Sequence, residues 1–147
     1  MPRSMGLDIG DKRIGVSLSD PSRTLASPLT TITRGSDEQA ISNIMELVAK
    51  YQVDQIVVGL PYSLSGDIGS QACKVMEFKE KIALSIAVDF VMQDERLSSV
   101  WANQKLREAG KRGSKLKSVI DAAAATVILQ SYLDESGKRN NSLETEL

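Results

Sequence analysis

Three stretches of this chain hold carboxylates where carboxylates are costly. In Met5-Gly6-Leu7-Asp8-Ile9-Gly10 the alternation of a strand puts Leu7 and Ile9 on one face and Gly6, Asp8 and Gly10 on the other. Aspartate is unfavourable inside a strand, and flanking glycines leave room for a ligand or a second backbone to approach. The structural alternative is a turn-associated aspartate bonded to nearby backbone N–H groups. Asp94-Glu95-Arg96 follows an apolar run over residues 86–92, and open α/β sheets present their sites at strand ends of this kind. Neighbouring strand residues point to opposite faces, so periodicity leaves open whether Asp94 or Glu95 faces such a site. Asp121 lies in Val119-Ile120-Asp121-Ala122-Ala123-Ala124-Ala125-Thr126-Val127-Ile128-Leu129, a helix apolar nearly all round. It shares a helical face with Ala125, Ile128, Leu129 and Tyr132. A buried carboxylate there needs a lysine or arginine, backbone donors or a metal, unless it merely favours the helix dipole near an N-terminus.

Carboxylates from the first strand, a later strand end and the last helix would form an oxygen-only site. Such a site suits Mg²⁺ or Mn²⁺ rather than zinc. One or two such ions can activate water and stabilise the leaving oxygen of a phosphodiester. The chain has no histidine, which excludes Ser-His and Cys-His nucleophilic catalysis, imidazole bases and His-ligated zinc. Its single cysteine, Cys73, cannot form an internal disulfide and lies in a helical pattern, where cysteine is more often a small buried hydrophobe than a nucleophile.

The elements that must position these residues follow from patterning. Apolar and polar residues alternate between glycine-marked turns near residues 5–9, 13–19 and 29–33, which predicts three strands. Ser36 followed by Gln39 has capping-box spacing, and Ile41, Ile44, Met45 and Val48 recur at helical intervals up to Tyr51. Residues 55–60 form a β-branched run stopped by Pro61 and predict a central, doubly covered strand. A loop over 61–69, a helix over 70–84, a strand over 86–92, a helix over 98–109, a glycine-bearing basic loop and a long helix over 117–133 complete the pattern. Strands in meander followed by alternating strands and helices describe an α/β fold, a mixed sheet with helices on its faces.

With 147 residues, 41% hydrophobic and 25% charged, the chain has the composition of one soluble globular domain. Residues 1–135 form that domain in this reading, and 136–147 form a polar, flexible tail. No apolar run is long enough to cross a bilayer, and Met1-Pro2-Arg3-Ser4 leads straight into a strand pattern rather than a signal region, which predicts a cytoplasmic protein without membrane contact. The formal net charge of −1 gives no global attraction to polyanions. However, Lys105, Arg107, Lys111, Arg112, Lys115 and Lys117 stand against Glu108 alone, a local basic stretch that reads either as a solvated helix end or as a nucleic-acid contact.

Taken together, Gly6-Leu7-Asp8-Ile9-Gly10-Asp11-Lys12-Arg13-Ile14-Gly15-Val16 with Ser19-Asp20, then Val57-Val58-Gly59-Leu60-Pro61, Asp94-Glu95-Arg96-Leu97, and Ile120-Asp121-Ala122 with Ala124, resemble the YqgF family of ribonuclease-H-like proteins. That family is associated with pre-16S ribosomal RNA nucleases and with Holliday junction resolvases. The resemblance implies a ribonuclease-H-like, five-stranded mixed sheet with the second strand antiparallel. It also implies a nuclease whose metal ligands are Asp8, Glu95 and Asp121, with one or two Mg²⁺ or Mn²⁺ ions. It adds backbone contacts from Lys12 and Arg13, to which charge adds Arg96, Lys111, Arg112, Lys115 and Lys117. Two departures from the family pattern stand out: Ser98-Ser99 where threonine is common, and Ser65 where an acid or amide usually precedes Gly66.

The expected partner is therefore nucleic acid, either precursor ribosomal RNA or branched DNA, bound by a monomer or a homodimer. Junction resolution would require two sites acting together, hence a homodimer. A rival from another class is RNA or transcription-complex binding without cleavage, because fold does not fix function.

Overall fold

The computed structural model describes residues 2–60, 70–94 and 114–145. Five strands and three helices are described: β1 (Arg3–Ile9), β2 (Arg13–Ser19), β3 (Ala26–Thr33), α1 (Asp37–Lys50), β4 (Val53–Leu60), α2 (Ser70–Ser85), β5 (Asp89–Asp94) and α3 (Ser114–Thr145). The sheet order is β3-β2-β1-β4-β5. β2 runs antiparallel to both β1 and β3, while β1 and β4, and β4 and β5, are parallel. This is the mixed five-stranded sheet with an antiparallel second strand implied by the motifs.

Alternation along the strands divides the core into two layers. Met5, Leu7 and Ile9 of β1, with Ile14, Val16, Ile56, Val58 and Leu60, pack against Ala40 and Ile44 of α1 and Val75, Phe78 and Ile82 of α2. On the other face Val57 packs against Ile128, Leu129 and Leu133 of α3. Helices thus cover both faces, and β4 is buried from Ile56 to Leu60. That explains the almost unbroken apolar run of β4.

The first helix starts where its cap predicts: Ser36 is extended and its hydroxyl accepts from the N–H of Gln39 at 3.2 Å. At the other end Tyr51 N donates to Leu47 O, and Gln52 takes the left-handed conformation (φ 55°) that turns the chain into β4.

Three elements differ from the pattern reading by three residues or more at an end. β3 begins at Ala26, not Leu29, because it is an edge strand. There the missing N–H of Pro28 breaks no interior ladder, and a register shift between Val16 and Ser17 accommodates it. β5 begins at Asp89 rather than residue 86. Ile86 is buried but still donates to Ile82 O as the end of α2, and an apolar run cannot by itself distinguish a helix end from a strand. Finally, α3 starts at Ser114 and is helical through Thr145, where the pattern placed only 117–133. Beyond Leu133 the chain is mostly polar and holds the weak helix formers Gly137, Asn140 and Asn141, so neither periodicity nor propensity signals the extension. The predicted loop 61–69 and helix 98–109 lie outside the described residues.

Candidate functional site

The site forms where α3 comes down onto β1 and β2. Asp8 pairs with Gly15 across the antiparallel ladder, so both stand on the α3 face. A Cβ at Gly15 would run into the backbone carbonyl of Asp121 and lie 3.0 Å from Ala122 N. The absence of that single carbon lets the α3 backbone rest on the sheet. The same holds one pair along, where a Cβ at Gly6 would lie 2.7 Å from the Ala125 carbonyl oxygen and 2.8 Å from Leu129 Cβ. Between them the Ser17 hydroxyl donates to the Ala125 carbonyl at 2.7 Å. Of the two glycines that flank Asp8, Gly6 therefore admits a second backbone, one of the two readings its size allowed, as does Gly15 across the ladder.

Further bonds fix the helix along its length. Gln130 Oε1 accepts from Ala26 N at 2.9 Å, and its amide donates to Thr24 O. The Tyr132 hydroxyl accepts from Gln55, whose own oxygen accepts from Ser4. Gln93 on β5 reaches Glu135. These contacts set the rotation and height of α3 and thereby the position of Asp121.

Asp121 projects toward Asp8 and Arg13. Arg13 Nε donates to Asp121 Oδ2 at 2.6 Å, with the two side chains 36% and 23% exposed. Asp121 lies about two turns inside α3, beyond the first turn where a helix dipole acts, so its position is explained by Arg13 rather than by the helix end. Asp8 differs: no described residue donates a hydrogen bond to its carboxyl. Burial, and then the charge of Asp121, push its pKa from the ordinary 3.8 up to about 6. The local-turn explanation of Asp8 is thus not met. Instead a desolvated carboxyl faces a second carboxylate.

The turn that joins β1 to β2 is held from behind. Gly10 N donates to Arg13 O at 2.9 Å, and a Cβ at Gly10 would sit 2.7 Å from that oxygen. Arg34, a residue the motif reading passed over, donates Nη1 to Gly10 O at 2.9 Å and lies 4.2 Å over the Phe78 ring while pairing with Asp37. Its backbone N also donates to Lys12 O. The only sequence signal for it was a cation immediately before the Gly35-Ser36 cap. Lys12 is exposed at the tip of this turn.

Of the remaining residues singled out by sequence, Glu95, Arg96, Lys111 and Arg112 lie outside the described residues. Lys115 and Lys117 lie in the opening residues of α3. A separate depression on the α1/α2 side is bordered by Asp11, Arg34, Asp37, Lys74, Glu77 and Lys81. Three acids match three bases there, so it offers no net attraction to phosphate.

A sheet of this order, with an acid on its central strand facing a second acid on the covering helix, has the ribonuclease-H-like architecture of the RuvC-type nucleases. RuvC of T. thermophilus in complex with Holliday junction substrate has the same fold, with a TM-score of 0.56 over 93% of this chain and 97% of that one, at 12% identity. The Holliday junction resolvase of fowlpox virus, solved with its junction DNA, gives 0.53 over 90% and 97%, also at 12% identity. Sequence fixes the family. The RuvX model, described as Holliday junction resolvase, matches residues 2–135, and the chain belongs to that family. Relatives named "Putative pre-16S rRNA nuclease" include one from Clostridium acetobutylicum, 47% identical over 132 residues (90% of this chain, 98% of the relative). Another, from Caldanaerobacter subterraneus subsp. tengcongensis, is 48% identical over 134 residues (90% and 96%). The chain is a nuclease of the RuvX, or YqgF-type, family, as its motifs implied. No described helix is long and apolar enough to cross a membrane.

Proposed function

We propose that the protein is a metal-dependent endonuclease that matures the 5′ end of precursor 16S ribosomal RNA, with Asp8, Glu95 and Asp121 holding one or two Mg²⁺ or Mn²⁺ ions. The observation that carries this reading is the Asp8 carboxyl. It is desolvated, lacks a described hydrogen-bond donor, and is opposed by Asp121. A divalent cation shared by the two carboxylates would relieve both penalties, and an oxygen-only donor set fits Mg²⁺ or Mn²⁺. Bound there, such an ion supplies Lewis acidity, lowering the pKa of the attacking water and offsetting charge on the leaving oxygen.

Support for Glu95 as third ligand comes from the strand that leads to it, β5. Val91 packs against the α3 layer and Gln93 bonds to Glu135 of α3, whereas Phe90 and Met92 pack on the opposite layer. This described strand leads at Asp94 into the Asp94-Glu95-Arg96-Leu97 motif, from which the family resemblance takes Glu95 as the ligand. β5 also ends level with β1, through Leu7↔Val58 and Leu60↔Asp94. Lys12, Arg13, Arg96, Lys111, Arg112, Lys115 and Lys117 supply cations for the phosphate backbone, and Asp8 and Asp121 would hold the metal beside the bound backbone. The names of the relatives support the RNA substrate.

The test is cleavage of precursor 16S RNA, unrelated single-stranded RNA and a four-way DNA junction, each with Mg²⁺, with Mn²⁺ and with chelator. The expected result is a metal-dependent RNA product, lost in Asp8→Asn. Undiminished cutting by Asp8→Asn would overturn the site. The family description favours a second reading, junction resolution. Cutting confined to the junction, by a homodimer, would establish it, whereas tight RNA binding with no product in any metal would leave a binding protein.

A further inference from the structure

Arg13 is the first residue of β2, and its alternation with Gly15 and Ser17 puts it on the α3 face beside Asp8. Among the described residues the guanidinium bonds to Asp121, through Nε at 2.6 Å. Asp8 receives no hydrogen bond from it. The pairing is built in from three directions. The Gly10–Arg13 bond and Arg34 fix the turn from which Arg13 departs. Gly15 lets the Asp121 backbone sit low enough to be reached. The Ser17–Ala125 bond, one helical turn beyond Asp121, holds the helix there. This framework directs the guanidinium to the acid on the helix.

We infer that Arg13 is a positioning residue that stands in for the cation. In the metal-free protein it neutralises Asp121 and keeps the carboxylate aimed at the site. When a divalent ion takes Asp121, Arg13 is released, and the freed guanidinium becomes available to a phosphate of the nucleic acid. This rests on the metal-site reading above and adds a coupling to it. Because an ion held by Asp121 would draw down the negative charge that holds the guanidinium, metal occupancy and backbone binding by Arg13 favour each other, and by linkage the effect is reciprocal. A guanidinium suits this exchange, being always charged and able to grip carboxylate or phosphate with equal geometry.

The full-length protein tests this by nitrogen-15 NMR of the arginine Nε–Hε group during Mg²⁺ titration, with Asp carboxyl carbons followed alongside. The expected result is that the Arg13 signal loses its hydrogen-bonded shift and its protection from exchange in step with the change at Asp8 and Asp121. In parallel, Arg13→Gln should bind Mn²⁺ more tightly than the parent, on the order of fivefold or more, as followed by paramagnetic resonance titration. Arg13→Lys retains the charge and serves should the glutamine variant fold poorly; its metal affinity should stay near that of the parent. If Mg²⁺ perturbs Asp8 and Asp121 while the Arg13 bond persists, or if Arg13→Gln binds metal no better, the placeholder role fails and the metal site stands. If no carboxyl responds to either ion, both fail.

Discussion

At the scale of single residues, the site stores an unfavourable charge. The Asp8 carboxyl has its pKa raised from 3.8 to about 6. Between those values the folded protein holds a proton that the unfolded chain has released, so metal-free stability falls as pH rises through this window and stays reduced above it. A shift of about two units corresponds to ~3 kcal/mol at ~1.36 kcal/mol per unit. Asp8→Asn, which removes the charge, should therefore raise the metal-free stability at pH 7.5 by about 2–3 kcal/mol while abolishing cleavage. Urea denaturation at pH 4 and pH 7.5 checks the sign, because the gain should shrink toward zero at the lower pH. A variant equally affected at both pH values would show that Asp8 carries no such charge penalty. The residue level was also the most legible in sequence. Asp8 was visible from its glycines and Asp121 as an acid in an apolar helix. The Arg13–Asp121 pair was not, since its members are separated by 108 positions and no local spacing relates them.

At the scale of elements, the determinant is the fit of α3 on two strands. Gly15→Ala would place a methyl carbon into the Asp121 carbonyl. Backbone cannot rotate away as a flexible side chain can, so the helix must lift or the strand must bend. The expected cost is about 1–3 kcal/mol or more, as for overpacked cores, with a larger proportional loss of cleavage because the displaced residue is Asp121 itself. Thermal unfolding and turnover measured on the same preparation separate the two effects. The small alanines of α3 serve this contact, and Ala122 and Ala125 are buried. Patterning did not single out Gly15, because a glycine in a strand advertises equally a bulge, a bend or a close approach. Strand ends were the least legible: β3 was placed from residue 29 although the edge strand starts at Ala26, and the apolar residues 86–88 read as strand.

At the scale of the whole molecule, the two faces of the sheet have separate duties. The α1/α2 layer holds most of the apolar core, whereas the α3 layer holds the site. Ile82→Ala, in the first layer and fully buried, should lower stability by about 2–5 kcal/mol and leave the activity of the folded fraction unchanged at a temperature well below unfolding. Equal losses in both measurements would show the layers to be coupled. The family match ends at residue 135, and among the described side chains the last bond that anchors α3 is that of Glu135. A chain cut after Glu135 should accordingly keep both its fold and its cleavage activity, measurable by circular dichroism and by the RNA assay. The mixed topology itself was legible from the order of periodicities. The pairing of α3 with β1 and β2 was not, because alternation shows that a face is buried but not by which partner.

The close seating of α3 has a consequence for anyone transplanting this chemistry. Copying Asp8, Arg13 and Asp121 onto another sheet would reproduce the functional groups and still miss the site, because the helix would ride higher wherever strand residues carry side chains. What must be transferred includes the missing methyl groups at positions 6 and 15, so the blueprint of this centre consists as much of atoms left out as of atoms supplied.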